Sequence, residues 1–268
     1  PDDGDPRACY AILDLEKETL QVDHYRLAYD LERAINAIRG ERLPESFAQM
    51  IIQGVALDEV METTQRWKTP TPSLPWEDQE KKVRLNAVTD LMNRYDHTHK
   101  HARQVTRLAL RLFDELYSLH RLGQTERFWL QCGALLHDIG WVEGRKSHHK
   151  TSLRLILKEL ASPFNHRERL LVGSIARYHR RALPKEKHDH FAALSPIDQY
   201  QVTILGAILR VADGLDRTHR NVIQDLSCEI SLKRISIHCD VHMYPIPERD
   251  QALKKGDLWE RVFDRNLE

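Results

Sequence analysis

Apolar residues recur at three- and four-residue intervals through much of the chain, the spacing that gathers them on one face of an α-helix. The clearest stripe comprises Val105, Leu108, Ala109, Leu112, Phe113 and Leu116. Further stripes of this kind predict helices over residues 77–94, 97–119, 125–137, 147–160, 165–180 and 196–218. Helices with one apolar face pack into a bundle, so we expect a functional site in the bundle interior.

Both ends of the chain change to the alternating pattern of β-strands. Residues 9–14 and 20–27 predict a hairpin, and Asp30 and Pro44 then mark the starts of two short helices. Residues 225–232 and 234–241 predict a second hairpin, followed by a helix over 248–263. The sequence therefore predicts a mainly α fold with a small α+β segment first and a hairpin plus helix last.

A proline-rich stretch, K-T-P-T-P-S-L-P-W, separates the first segment from the helical region. Closely spaced prolines disfavour helix and are typical of extended linkers. We expect a small α+β segment at 1–67, a linker at 68–76, a helical domain at 77–223 and a C-terminal hairpin plus helix at 224–268 that packs on the helical domain.

Composition limits the classes of function. Forty basic and forty acidic residues cancel, which argues against general nucleic-acid binding. The four cysteines have no CxxC spacing, which favours reduced thiols. Since no apolar run reaches membrane-spanning length and no signal sequence opens the chain, we predict a cytoplasmic protein without a membrane partner.

Polar residues interrupt several of the apolar stripes. His101 lies four residues before Val105, His179 follows the stripe that ends at Ala176, and Asp213 follows Leu209 at helical spacing. An ionised carboxylate on an apolar face needs a partner or a metal, because burying it unpaired costs several kcal/mol. Any one of these histidines alone is better explained as a hydrogen-bonded core residue, but the set favours a metal.

An adjacent His137-Asp138 pair closes the apolar helix C-G-A-L-L-H-D-I-G and completes the candidate ligand set. Imidazole nitrogens and carboxylate oxygens suit Mn, Fe, Ni or Zn, and the oxygens also suit Mg, so we predict one or two divalent ions. His148 and His149 are further candidate ligands. The pattern does not rank them, because His149 continues the stripe of α-helical apolar positions whereas His148 stands four residues before Ser152.

Basic residues cluster near these candidate ligands although the whole chain is neutral. They suit a polyanionic substrate, and any single one of them is equally well explained as part of a solvated helix face. From this cluster we select four candidate phosphate-binding residues: Lys150, Arg180, Arg181 and Lys185.

The pattern H…HD…D, carried by His101, His137-Asp138 and Asp213, resembles the HD superfamily of metal-dependent phosphohydrolases. Four motifs resemble more closely the HD-like C-terminal region of the exopolyphosphatase/guanosine pentaphosphate phosphohydrolase (Ppx/GppA) family, from about residue 80 onward. They are L-L-H-D-I-G, H-H-K-T-S-L-R-L-I, A-R-Y-H-R-R-A-L-P-K and I-L-R-V-A-D-G-L-D-R-T-H-R.

This resemblance implies an HD-type bundle in which His101, His137, Asp138 and Asp213 hold a metal. His148 or His149, together with His179, would hold a second ion or contact phosphate. HD proteins with two metals place a ligand at the position of His148. His137 and Asp138 are then the expected catalytic residues.

Two functions of different class follow from the resemblance. The first is a metal-dependent phosphohydrolase that cleaves a nucleotide or related phosphorylated metabolite with a metal-activated water. The second is a regulatory module that binds polyphosphate or guanosine tetra/pentaphosphate without hydrolysis. Trp141 and Thr151 depart from the patterns of related proteins, and the nucleotide-binding catalytic half of the Ppx/GppA family has no counterpart here, so the substrate stays open.

The N-terminal motifs D-G-D-P-R-A-C-Y-A-I-L-D and Y-D-L-E-R-A-I-N-A-I-R resemble the C-terminal end of calcineurin-like metallophosphoesterases. That family's metal-binding motifs are absent from this sequence, so no activity transfers. The resemblance suggests the tail of a larger fusion with a metallophosphoesterase domain, and an independent accessory subdomain is an equal alternative. A homodimer is a further expectation.

Overall fold

The computed structural model describes residues 7–16, 19–41, 45–56, 60, 75–96, 99–160 and 162–268. Over these residues the fold is mainly α with small sheets, which confirms the predicted fold class. The chain divides into two compact units, Pro1–Glu77 and Asp78–Glu268. Most of the predicted linker, residues 68–74, lies outside the described residues, while Pro75 and Trp76 already belong to a helix.

The first unit contains an antiparallel hairpin of β1 (Ala8–Glu16) and β2 (Thr19–Leu27). β1 continues to Glu16 and β2 begins at Thr19, so both strands are longer than the predicted 9–14 and 20–27. Two helices follow, α1 (Leu31–Gly40) and α2 (Glu45–Gln53). The Asp30 side chain accepts a hydrogen bond from the Arg33 backbone N–H at 2.9 Å, which confirms the predicted helix cap.

The helices that follow form the bundle and lie within a few residues of their predicted bounds. They are α3 (Pro75–Tyr95), α4 (Lys100–Glu115), α5 (Tyr117–His120), α6 (Gln124–Leu136), α7 (His148–Glu159), α8 (His166–Arg177), α9 (Asp189–Ala192) and α10 (Pro196–Gly214). A 3₁₀ turn at Ile139–Glu143 joins α6 to α7. The predicted helix over 97–119 is divided, because α4 ends at Glu115 and α5 begins at Tyr117.

Helix α10 lies at the centre of the second unit and packs against α4, α6 and α8. The Ser195 side chain caps α10, and the fully buried residues Leu205, Ile208 and Leu209 form its middle. Asp213 occupies the last turn of this apolar helix. The packing of α10 therefore carries a carboxylate into the bundle interior.

Gly140 allows the 3₁₀ turn to lie directly against α7. A Cβ atom at this position would stand 2.1 Å from the His148 carbonyl oxygen and 2.6 Å from the Ser152 backbone nitrogen. The Ser152 hydroxyl donates to the His137 carbonyl oxygen at 2.7 Å and accepts the Gly140 N–H at 2.9 Å. This contact holds the end of α6 beside the start of α7.

The C-terminal region consists of β3 (Ile223–Ile230), β4 (Arg234–Val241), α11 (Ile246–Lys254), α12 (Asp257–Phe263) and β5 (Asn266–Leu267). The prediction of one helix over 248–263 is wrong, because Lys255 and Gly256 separate two helices. The sequence did not predict strand β5, which pairs parallel to β4. At Gly214 a Cβ atom would stand 2.6 Å from the Ala252 Cα, so α10 and α11 touch backbone to backbone.

Candidate metal centre

Three predicted ligands meet at the inner ends of α4, α6 and α10. The His101 Nε2 atom lies 3.2 Å from the Asp213 Oδ1 atom, and the His137 Nε2 atom lies 3.9 Å from the same oxygen. Their ligand atoms all lie within 4.8 Å of one another. Two nitrogens and one carboxylate oxygen thus converge on one point.

A second group of three candidate ligands lies next to the first. It comprises Asp138, His148 and His179, again with ligand atoms within 4.8 Å of one another. The Asp138 Oδ1 atom lies 3.0 Å from His148 Nε2 and 3.6 Å from His179 Nε2. Its Oδ2 atom lies 3.5 Å from His137 Nε2 and 3.8 Å from His101 Nε2. One carboxylate therefore presents one oxygen to each group.

Each of the four histidines of these groups uses its Nδ1 atom in a hydrogen bond that points away from the site. Because the acceptors are backbone carbonyls or a carboxylate, Nδ1 carries the proton and Nε2 is left with a lone pair facing inward. The acceptors are Ala134 O for His137 at 2.7 Å, Ala176 O for His179 at 2.6 Å, Arg145 O for His148 at 3.1 Å and Asp216 Oδ2 for His101 at 2.8 Å.

This tautomer pattern turns nitrogen lone pairs toward one another and toward the carboxylates. The His137 Nε2 atom is buried and has no hydrogen-bond partner in the described part of the chain. The Nε2 atoms of His148 and His179 face each other at 3.2 Å, so two lone pairs are opposed. A cation in each group would give these nitrogens an electron-pair acceptor. The nitrogen and oxygen donors therefore fit a divalent metal ion.

The electrostatics prepare these groups for coordination. Burial lowers the pKa of His137 to about 4, and burial followed by the neighbouring His137 lowers the pKa of His179 well below its usual value. Burial alone would raise the pKa of Asp138, but His137, His148 and His179 hold it well below the usual range. At neutral pH His137 and His179 are thus neutral and Asp138 is ionised, which are the protonation states that metals bind.

Five of the six side chains of these groups line an open cavity of about 390 Å³, and the sixth, His137, is fully buried. Against the two carboxylates, Asp138 and Asp213, its described wall carries five arginines and two lysines. These are Arg145, Arg180, Arg181, Arg210, Arg217, Lys254 and Lys255. The cavity is therefore strongly cationic although the chain has no net charge, and it suits a ligand with several negative charges.

The structure brings most of the predicted site residues together. His101, His137, Asp138, His148, His179 and Asp213 form the two groups, and Arg180 and Arg181 line the cavity above them. His149 belongs to neither group among the described residues, although its ring lies 6.3 Å from the His179 ring, centroid to centroid. The candidate phosphate ligands Lys150 and Lys185 do not line this cavity either.

Sequence reasoning missed three residues of the site. Asp216 orients His101, and its three-residue spacing from Asp213 was the available signal. The His219 ring stacks on the His101 ring with centroids 3.8 Å apart. Lys255 forms an ion pair with the Asp213 Oδ2 atom, and burial, then the neighbouring Arg210, lowers its pKa to about 7. No local pattern marks Lys255, which reaches the site only through the packing of α11 on α10.

The fold and the site define a helical-bundle protein with a candidate metal centre beneath a cationic cavity. Residues 83–260 match the family described as Ppx/GppA phosphatase, domain III, and the chain belongs to this family. The match covers nearly all of the second unit and confirms the predicted Ppx/GppA relationship. It associates the protein with a phosphatase-related function.

No helix in the described ranges combines the length and the apolar character that crossing a membrane requires.

Proposed function

We propose that the protein is a metal-dependent phosphohydrolase of the HD type, acting on a phosphoester or phosphoanhydride. The observation that carries this proposal is the position of Asp138, whose two carboxylate oxygens face two different histidine groups. A site that only bound phosphate would need cationic side chains, not a carboxylate that faces four imidazole rings. The arrangement supports one ion, or two ions bridged by Asp138.

The ligands are assigned by group. His101, His137 and Asp213 would hold one ion, and His148 and His179 would hold the other, with Asp138 between them. A divalent ion bound here would supply Lewis-acid stabilisation of the phosphoryl charge and lower the pKa of a water molecule. His137 and Asp138, as candidate ligands of such an ion, would be the catalytic residues.

The cavity wall would capture and orient the substrate. Arg180 lies beside the metal groups, with its Nη1 atom 3.4 Å from His148 Nε2. Arg181 and Arg217 line the same cavity. Guanidinium groups bind phosphate oxygens through paired, charge-assisted hydrogen bonds, so these side chains suit the phosphates next to the scissile bond.

The excess of cationic over anionic side chains favours a substrate with more than one phosphate. We therefore place polyphosphate, guanosine tetra/pentaphosphate and other nucleotides first among substrates. Trp141 is partly exposed at the rim, where its ring stacks on the His148 ring with centroids 5.2 Å apart. A flat aromatic surface at the rim is compatible with a nucleobase.

A regulatory module that binds these compounds without hydrolysis is the second candidate. It is favoured by the extent of the family match, which is to one domain of these phosphatases, domain III. The cationic cavity would serve binding alone equally well. The two candidates differ in whether phosphate is released.

One experiment separates them. Protein purified without added metal would be analysed for its metal content and then screened for phosphate release. The panel would contain nucleotides, guanosine tetraphosphate and short polyphosphates, each with Mn, Mg, Fe, Ni or Zn. For an enzyme, His137→Ala abolishes turnover, whereas Arg181→Ala chiefly raises KM and makes KM more dependent on salt. Tight binding without release across the panel would favour the regulatory module.

The domain organisation of the whole chain belongs to the same proposal. We take residues 1–67 as a small segment related to the tail of a metallophosphoesterase and residues 68–76 as a linker. Residues 77–223 are then an HD-type helical domain, and residues 224–268 are a C-terminal part that packs on it. A cytoplasmic location and a homodimer complete it. Limited proteolysis should release a folded fragment from about residue 77, and light scattering would report the oligomeric state.

A further inference from the structure

A second group of basic side chains lies outside the cavity described above, around the end of α8. Arg177 is 5% exposed, and in the described part of the chain it has no carboxylate or hydrogen-bond partner. Burying a guanidinium without a counter-charge is costly, because the charge loses its water and no anion replaces it. A bound anion would supply the missing counter-charge.

The surroundings of Arg177 supply further donors without partners. The Arg177 Nη1, His149 Nδ1 and His190 Nε2 atoms are all buried and lack hydrogen-bond partners among the described residues. The Arg177 guanidinium lies over the Tyr178 ring at 5.8 Å, and the His190 ring lies 5.5 Å from that same ring, centroid to centroid. The His149 ring lies 6.3 Å, centroid to centroid, from the ring of His179, which is two residues after Arg177. Burial and then the Arg177 charge lower the pKa of His190.

A short segment after α8 closes this group on one side. The Tyr178 hydroxyl and the His188 Nδ1 atom share a hydrogen bond of 2.8 Å, which fixes the segment that carries Lys185 and His190. Lys150 and Lys185 are exposed and act electrostatically on His188. The same segment also carries two exposed carboxylates, Glu186 and Asp189, and Asp189 acts on His190. The balance is strongly cationic.

We propose that Arg177, His149 and His190 form a second anion site, which binds a phosphate group and has Lys150 and Lys185 at its edge. His149 lies on α7, Arg177 on α8 and His190 on α9. With the ring protons on the unpartnered imidazole nitrogens, these donors from separate elements suit a polyatomic oxyanion better than a halide. None of these residues lines the metal cavity. The site gives a role to His149, Lys150 and Lys185, which the metal centre leaves unused.

The phosphate group could come from free inorganic phosphate or from a chain of phosphates. Both sources would be tested on the full-length chain, freed of metal by chelation, with inorganic phosphate in one titration and tripolyphosphate in the other. Chloride would be kept constant. The reporters would be the imidazole signals in ¹H–¹⁵N spectra, with His190 marking this site and His219 marking the metal cavity.

We expect the His190 signal to move and to saturate with at least one of the two ligands. Arg177→Gln should weaken that affinity about tenfold or more, the cost of losing a charge-assisted hydrogen bond to an anion. Arg169→Gln, which removes the same charge from the same helix, should leave the affinity unchanged. Any movement of the His219 signal should persist in Arg177→Gln, since His219 reports the other cavity.

Several results would overturn the proposal. One is a His190 signal that neither ligand moves while His219 responds. Another is an equal effect of Arg177→Gln and Arg169→Gln. If Arg177→Gln fails to fold, the double variant Lys150→Met/Lys185→Met decides the matter, because it keeps Arg177 and should still weaken the His190 response severalfold. These readouts do not depend on bound metal or on turnover, so the site and the proposed hydrolase can fail separately.

Discussion

The Nδ1 atom of His101 lies 2.8 Å from the Oδ2 atom of Asp216, a carboxylate that is completely buried. The other Asp216 oxygen accepts the Asn221 backbone N–H at 3.2 Å. This pair fixes the ring so that His101 Nε2 points at Asp213, 3.2 Å away. Outer carboxylates of this kind orient histidine ligands and increase their basicity.

We therefore expect Asp216→Asn to weaken metal affinity by about 10- to 100-fold, the usual effect of losing such an outer partner. Affinity would be measured by competition with a chromophoric chelator. Asp250→Asn is the matched control, because it removes the same charge from an exposed position on α11. Equal affinities in the two variants would show that Asp216 has only a structural role.

The neighbours His148 and His149 allow a direct test of the second group. Both are buried, but only His148 faces Asp138. His148→Ala should lower the bound metal per chain, whereas His149→Ala should leave it unchanged. Elemental analysis of the two purified variants beside the wild type measures the difference. A loss of metal only in His149→Ala would reverse the assignment.

Periodicity predicted much of this site because the bundle buries one face of each helix. His101, His179 and Asp213 interrupt apolar stripes, and the structure places all three inside. The choice between His148 and His149 was beyond the pattern, since successive helix residues differ by about 100° and the start of α7 sets which one turns inward. Periodicity could not predict Lys255 either, because the backbone contact between Gly214 and Ala252 is what brings Lys255 to Asp213.

Lys255 should weaken metal binding in the native protein. Its ammonium pairs with Asp213 Oδ2, so the metal is left with Oδ1 and faces a nearby positive charge. We expect Lys255→Met to raise metal affinity about tenfold, the equivalent of one modest charge interaction. The absorption spectrum of the Co²⁺ form should also change as Oδ2 becomes available.

Two variants control this test. Lys254→Met removes a charge from the same cavity without touching Asp213, and Lys255→Arg keeps a charge at the position. Both should resemble the wild type in affinity and in spectrum. A weaker metal affinity in Lys255→Met would contradict the expected competition and would make Lys255 a support for the site.

Stability should fall in mildly acidic solution. His120 is buried, donates to the Phe113 carbonyl oxygen and accepts the Leu122 N–H, so it must stay neutral. Burial lowers its pKa from 6.5 to about 4. Because the unfolded chain then binds more protons, stability is fully present above about pH 6.5 and is lost as pH falls towards 4. For His120 alone the loss by pH 4 is on the order of 3 kcal/mol.

Urea unfolding of metal-free protein between pH 7 and 4 measures this dependence. Other buried histidines contribute in the same direction, so His120→Gln should make the curve less steep by about one proton and not abolish it. Glutamine can still donate to Phe113 and accept from Leu122. An unchanged slope in His120→Gln would mean that His120 binds its proton equally well in the folded and the unfolded protein.

Gly140 connects the fold to the metal centre, and its replacement should damage both. An alanine Cβ atom would stand 2.1 Å from the His148 carbonyl oxygen, and backbone atoms cannot move aside as a flexible side chain can. We expect Gly140→Ala to lower the free energy of unfolding by about 2 kcal/mol or more. At Gly40, where a Cβ atom meets nothing within 4 Å, alanine is the matched control and should be nearly neutral.

The displacement also has a direction, because the clash pushes the start of α7 away from the end of α6. His148 lies on α7 and Asp138 follows α6, so their 3.0 Å contact should open. In Gly140→Ala we therefore expect loss of metal from the Asp138, His148 and His179 group, with the His101, His137 and Asp213 group less affected. Metal titration of a folded sample, judged by circular dichroism, tests this order. Loss from the His101 group first would show that the 3₁₀ turn supports the first group instead.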